Sequence, residues 1–163
     1  LFHGVIKEYL FNPKSVAISL IVGSIIMLIA DRYQYKKKTD VDVTYRGSLI
    51  IGLFQCLSLW PGMSRSGITI SGGIFSGMGY RKASMYSFIC AVPIMVAACG
   101  YELLKTKAIL SSHEITMLII GFVVSFLVGW VAIISLLKLI PRTKLWPFSI
   151  YRIILATIIL IYG

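Results

Sequence analysis

Six residues in the stretch PGMSRSGIT, Pro61–Thr69, have the groups an anion site needs. Arg65 presents a planar fork of donors that can hold two oxygens of one phosphate. Ser64, Ser66 and Thr69 supply hydroxyl donors, while Gly62 and Gly67 permit positive φ and close backbone approach. A helix restarting near Gly67 would turn its free N–H groups and the positive end of its dipole toward the same point. Residue chemistry alone leaves three readings open. The knot binds a phosphate, passes an ion or solute through a broken helix, or is a structural break with Ser66 as a cap and Arg65 held by carbonyl groups.

The knot lies in an apolar chain. Of 163 residues, 58% are hydrophobic and the mean hydropathy is +0.88, more apolar side chain than a soluble interior of this size can hide. Apolar runs at Val16–Ala30, Ala83–Leu104, Ile115–Leu137 and Trp146–Tyr162 each approach the roughly 20 residues that a spanning helix requires. The expected fold is therefore an all-α integral membrane protein with about four transmembrane helices. Residues 1–12 read as the end of an element, and Asn12–Pro13 as a restart. A polar loop is expected over 31–46, a kink at Pro93, a loop over Lys105–Glu114 and a turn over 140–147.

Residues 48–78 require a separate solution. Ser48–Trp60 and Ile68–Met78 would be helices of roughly 20 and 16 Å, against a hydrocarbon thickness of about 30 Å. Neither crosses alone. A re-entrant helical hairpin that turns at Pro61–Gly67 accommodates both, and the charges favour it. With a hairpin, ten Lys and Arg (within 32–46, 81–82 and 138–144) share one face, against Lys7, Lys14, Lys105 and Lys107 on the other. A single crossing would give an even split, contrary to the concentration of basic residues in cytoplasmic loops.

The net charge of +10 does not point to nucleic acid, because the basic residues sit between apolar segments and form no continuous stripe. Cys56, Cys90 and Cys99 lack metal-ligand spacing and read as small apolar residues. No metal-ligand cluster is evident; calcium or magnesium accompanying an anionic ligand is the one cofactor to consider. The six acids Glu8, Asp31, Asp40, Asp42, Glu102 and Glu114 fall at predicted ends or in loops, so Arg65 needs an anion from a ligand or another segment. Gln55, two turns before the knot, bonds either substrate or backbone. Arg152, two turns into the last span, either snorkels or neutralises a carboxylate or anionic ligand. His3 and His113 read as surface or interfacial residues.

The motif at Pro61–Thr69 fits the pattern PG-x-SRS-x-x-T, and the chain resembles the undecaprenyl pyrophosphate phosphatases of the bacitracin-resistance type. LFNP at Leu10–Pro13, GLFQCLSLWPG at Gly52–Gly62, SGG at Ser71–Gly73, SF and AVP within Ser87–Pro93 and YR at Tyr151–Arg152 extend the resemblance. It implies hydrolysis of a polyprenyl diphosphate in the bacterial plasma membrane, by a multi-pass protein that recycles the lipid carrier for cell-wall synthesis. It also implies two inverted repeats, each with a re-entrant hairpin, of which this chain is the second. The glutamate pair and Ser-Ser-Thr-Gly-His run of the first repeat do not occur here, and the chain starts with Leu1 and not Met. The expectation is a fragment, 1–163, forming a single membrane domain that lacks the N-terminal repeat and is inactive alone. Arg65 would then be catalytic, with Ser64 a weaker candidate nucleophile. Ser66, Thr69, Gly62, Gly67, Gln55 and Arg152 would bind substrate. Oligomeric state stays open, with a homodimer among the options. Tyr80 stands where that family often has arginine, with Arg81 one position later, and Met85 where a polar residue is common. These departures weaken a role for Arg81 in binding the substrate head group and leave the assignment of Arg65 unchanged.

Overall fold

A computed structural model describes residues 12–105 and 112–162, and all its regular elements are helices. His3, Lys7, Glu8 and Lys107 lie outside the described residues. In chain order the helices are α1 (Pro13–Lys37), α2 (Tyr45–Leu57), α3 (Arg65–Phe75), α4 (Tyr80–Lys105), α5 (Ser112–Thr143) and α6 (Trp146–Tyr162).

Asn12 starts α1 by accepting from Lys14 N at 3.1 Å, and Pro13 stands at the first helical position, where no N–H is needed. The helix does not stop at Asp31, as the change to polar residues suggests. It continues through Lys37 and ends at Lys38, which is left-handed (φ 48°) and donates its N–H to Gln34 O. Composition marks a change of surroundings there, whereas the hydrogen-bonded helix persists. The same holds for α5, which runs past Lys138 to Thr143 with Pro141 inside its last turns. The turn before α6 is thereby cut to Lys144 (φ 63°) and Leu145.

Helix α3 is the centre of the fold. Its residues Gly67–Ile74 are all buried, so it is enclosed on every side, unlike an amphipathic surface helix. It packs against α1, α2 and α4, while α6 lies along α1 and α5 meets α4. Small residues make the enclosure possible. A side chain at Gly72 would come within 3.0 Å of Phe54, and one at Gly73 within 2.8 Å of Ala83. Hydroxyl pairs add direction, with Tyr86 donating to Ser48 Oγ at 3.0 Å and Thr69 paired with Ser87.

Among the described residues, three helices are long and apolar enough to cross a membrane: α1, α4 and nearly all of α5. The 17-residue α6 is a shorter apolar helix. Large apolar side chains from α4 beyond Val92 and along α5 up to Ile134 are exposed, as lipid-facing surfaces are. The chain is a helical membrane protein. Helices α2 and α3, roughly 20 and 16 Å long, pack on one another around the turn at 58–64, three residues earlier than the turn expected at 61–67.

Candidate functional site

The turn between α2 and α3 is fixed by a row of residues on α1. Ser15, Ser19, Gly23, Met27 and Asp31 recur every four positions and so share one helix face. Trp60 Nε1 donates to Ser15 Oγ at 3.0 Å, and the Ser19 hydroxyl donates to Pro61 O. A Cβ on Gly23 would stand 2.7 Å from both Met63 O and Arg152 Nη2, and one on Gly67 would stand 2.7 Å from Met27 Sδ. Gly62 has φ +93°, and its missing Cβ would overlap Ser19 Oγ at 2.3 Å and Val16 O at 2.7 Å. These contacts escaped the sequence reading, although the small-residue spacing of Ser15, Ser19 and Gly23 is a legible sign of close backbone approach.

Arg152 completes the turn from the other side. It is only 7% exposed, so it does not snorkel. Its Nη2 donates to Gly62 O at 2.6 Å and its Nη1 lies 3.4 Å from Met27 Sδ, while Nε is buried without an acceptor. The guanidinium stays charged in any surroundings. Its position depends in turn on α6, whose first turn is held by Asp31. Leu145 N donates to both carboxylate oxygens, at 3.2 and 3.0 Å, and Tyr80 OH donates to Oδ1 at 2.9 Å. A carboxylate at a helix N-terminus satisfies free N–H groups and meets the positive end of the dipole. Asp31 therefore ties α1, α4 and α6 together, a role hidden by reading it as the end of a helix.

Helix α3 begins at Arg65, and Ser64 is its cap, with φ 65° and Oγ accepting from Gly67 N at 3.3 Å. The cap is thus Ser64, with Ser66 already inside the helix. The N–H groups of Arg65 and Ser66, the first two of α3, have no intrahelical acceptor. Thr69 is buried and its hydroxyl is committed to Arg65 O at 2.8 Å, Ser66 O at 3.1 Å and the Ser87 hydroxyl. Gln55 supplies its main-chain carbonyl to the turn, accepting from Ser58 N at 3.0 Å and Ser58 Oγ at 2.6 Å. Arg65 is half-buried, and its Nη1 is fully enclosed without a partner.

Beside the start of α3 lies a cavity of about 320 Å³. Ser64, Ser66, Gly67 and Arg152 form its polar end; Phe88, Leu136, Ile140 and Phe148 are among the apolar residues lining the rest. Arg65, Thr69, Gly62 and Gln55 are not among its lining residues. The structure thus brings Ser64, Ser66, Gly67 and Arg152 to one space, places Gly62 and Thr69 in the framework behind it, and sets Gln55 apart. No Asp, Glu or His lines this cavity, and the described residues contain no group of three His, Cys, Asp or Glu able to hold a metal ion. What remains is a mostly apolar pocket with one buried cation, Arg152, and two serines at the start of α3, a combination that suits an anionic amphiphile, and no base lines it.

The chain matches known proteins over nearly its whole length. The family model described as bacitracin resistance protein BacA matches residues 1–158. The chain is 48% identical over 165 residues to a protein of Bacillus subtilis (strain 168) named undecaprenyl-diphosphatase, covering 99% of this chain and 59% of that one. It is 44% identical over 164 residues to undecaprenyl-diphosphatase 1 of Bacillus thuringiensis (strain Al Hakam), covering 99% and 62%. A third, the undecaprenyl-diphosphatase of Anoxybacillus flavithermus (strain DSM 21510 / WK1), is 45% identical over 161 residues, with 98% and 59% covered. The chain spans about three-fifths of the length of these curated relatives.

Proposed function

Since the chain belongs to the bacitracin resistance protein BacA family, we propose that it is the phosphate-binding part of an enzyme that hydrolyses undecaprenyl diphosphate. Overall one water is consumed, the P–O–P anhydride opens at the terminal phosphorus, inorganic phosphate is released, and undecaprenyl phosphate returns as lipid carrier for cell-wall synthesis. The observation that carries this reading is the two-part cavity. Its polar end of Ser64, Ser66, Gly67 and Arg152 suits a diphosphate, and its apolar wall suits the first isoprene units.

Arg152 Nε, on a residue lining the cavity, and Arg65 Nη1, enclosed just outside that lining, are buried donors without acceptors. A diphosphate at the start of α3 would meet Arg152 directly, and Arg65 would turn toward it from α3. Arg65, at the mouth of α3, neutralises charge as the phosphorus is attacked. Ser64 and Ser66 orient the phosphate oxygens, and the first N–H groups of α3 add to them. Gly62 and Gly67 allow the backbone to come close, Thr69 braces the first turn, and Gln55 is structural. Ser64 has no neighbouring base to activate it, so nucleophile and acid–base carboxylates come from the remaining two-fifths, roughly, of the relatives' length. We place α2 and α3 as a re-entrant hairpin in a multi-pass protein of the bacterial plasma membrane, facing a second hairpin in that remainder. A homodimer is compatible with this arrangement. Calcium or magnesium bound with the diphosphate would take phosphate oxygens among its ligands.

Phosphate release from undecaprenyl diphosphate by the intact protein in detergent tests the reading. Arg65→Ala should lower kcat/KM by at least about 100-fold. Arg65→Lys should recover little, because a point charge replaces a fork. Full activity in Arg65→Ala would remove the clamp from the mechanism. Solute or lipid flux in liposomes without phosphate release would instead favour a broken-helix transporter.

A further inference from the structure

A second cavity, of about 410 Å³, opens between α4 and α5 at the basic end of the molecule. Its lining changes along both helices. On α4, Arg81 in the first turn is followed one turn later by Met85; on α5, Arg142 and Lys138 are followed one turn deeper by Ile134, with Leu137 beside them. The pocket is therefore cationic at its outer end and apolar at its inner end.

No described residue neutralises those cations. Of the described acids at this end, Asp31 serves Tyr80 and Leu145. Asp42 lies 2.8 Å and Asp40 3.5 Å from Lys82 Nζ. Arg81, Lys138 and Arg142 are exposed and have no ion pair among the described residues. Basic pockets between membrane helices, at headgroup level, attract acidic lipid.

We propose that this cavity binds an anionic glycerophospholipid. Arg81, Lys138 and Arg142 hold the headgroup phosphate, while Met85, Ile134 and Leu137 contact the upper acyl chains. The site is separate from the cavity beside α3 and does not depend on the hydrolytic reading. It also gives Arg81 and Met85 a role apart from substrate.

The test is native mass spectrometry of the intact protein in neutral detergent, with phosphatidylglycerol and phosphatidylcholine of identical chains. Wild type should retain phosphatidylglycerol in clear preference, a comparison that needs no variant to fold. Together, Arg81→Gln, Lys138→Gln and Arg142→Gln should weaken phosphatidylglycerol on the order of 100-fold. Lys36→Gln, Lys37→Gln and Lys38→Gln, which remove equal charge from the same end, should retain it. Equal retention of the two lipids, or equal loss in both triple variants, overturns the proposal. So does displacement of the lipid by millimolar inorganic phosphate, which makes this a free-phosphate site. Preferential capture of undecaprenyl phosphate at the same residues also overturns it, making the cavity a substrate or product site.

Discussion

Gly62→Ala is the sharpest test of how the turn at 58–64 is built. Gly62 has φ +93°, a conformation that side chains rarely adopt, and the new Cβ would lie 2.3 Å from Ser19 Oγ and 2.7 Å from Val16 O. Backbone strain of this kind costs about 1–3 kcal/mol, and forcing a carbon into a filled space costs about 1–3 kcal/mol more. A loss of about 4 kcal/mol should lower the melting midpoint of the intact protein in detergent by about 10 °C. Gly52→Ala is the matched control, because a Cβ there meets nothing within 4 Å and the residue is in a helix. It should be neutral or stabilising by up to about 1 kcal/mol. Adding Ser19→Ala to Gly62→Ala removes the hydroxyl contact but leaves Val16 O and the positive φ, so only partial recovery is expected. Melting of Gly62→Ala within about 2 °C of wild type would refute the account of the turn.

Two further outcomes concern the acids at the basic end. Asp31→Ala leaves Leu145 N and the Tyr80 hydroxyl without their acceptor and should destabilise the protein by about 2–3 kcal/mol. Asp31→Asn, which keeps one oxygen but no charge, should fall between; calorimetry of both variants in detergent decides it. In the 38–44 connection, the Lys82 ammonium, by hydrogen bond and charge, holds the Asp42 carboxyl below the ordinary carboxylate range. The small stabilisation this linkage gives is present above the ordinary aspartate pKa of about 3.9 and disappears as pH falls through the lower folded value. Carboxyl-carbon NMR of Asp42 should show the depressed titration, and Lys82→Met should move it upward.

The sequence carried the membrane class, the apolar cores of α1, α4, α5 and α6, and the knot at Pro61–Thr69, because hydropathy and helix-breaking residues report burial and backbone directly. It misplaced helix ends wherever polarity changed without a change in hydrogen bonding. Asp31–Lys37 and Leu139–Thr143 remain helical, since a headgroup or aqueous setting alters which side chains are favoured and not the backbone ladder. The turn was misplaced because Arg65, Ser66 and Gly67 read as part of the break, whereas Ser64 caps α3 and admits them to it. The depth of Arg152 was undecidable because a long guanidinium two turns into a helix can reach either an interface or the interior. Gly23 and Met27 on α1 and the Gly62 carbonyl, which meet the guanidinium once α1 and α6 are in place, take it inward.

The two arginines should respond in opposite ways to the same substitution. Arg152 donates to Gly62 O at 2.6 Å, so Arg152→Met removes a charge-assisted bond and leaves a carbonyl without its donor. That should cost about 1.5–3 kcal/mol. The Arg65 side chain has no hydrogen bond or ion pair among the described residues, and its Nη1 is enclosed. An enclosed charge without a partner is a burden on the folded state. Arg65→Met should therefore raise the midpoint of the ligand-free intact protein, by the equivalent of about 1–2 kcal/mol, while phosphate release is lost. Undecaprenyl phosphate, which carries the headgroup charge but no anhydride, should stabilise wild type by mass action and should stabilise Arg65→Met much less. If Arg65→Met instead melts lower and the lipid stabilises both proteins equally, the guanidinium is braced by a carboxylate elsewhere in the protein. Its place would then be in the scaffold of the site and not on the phosphate.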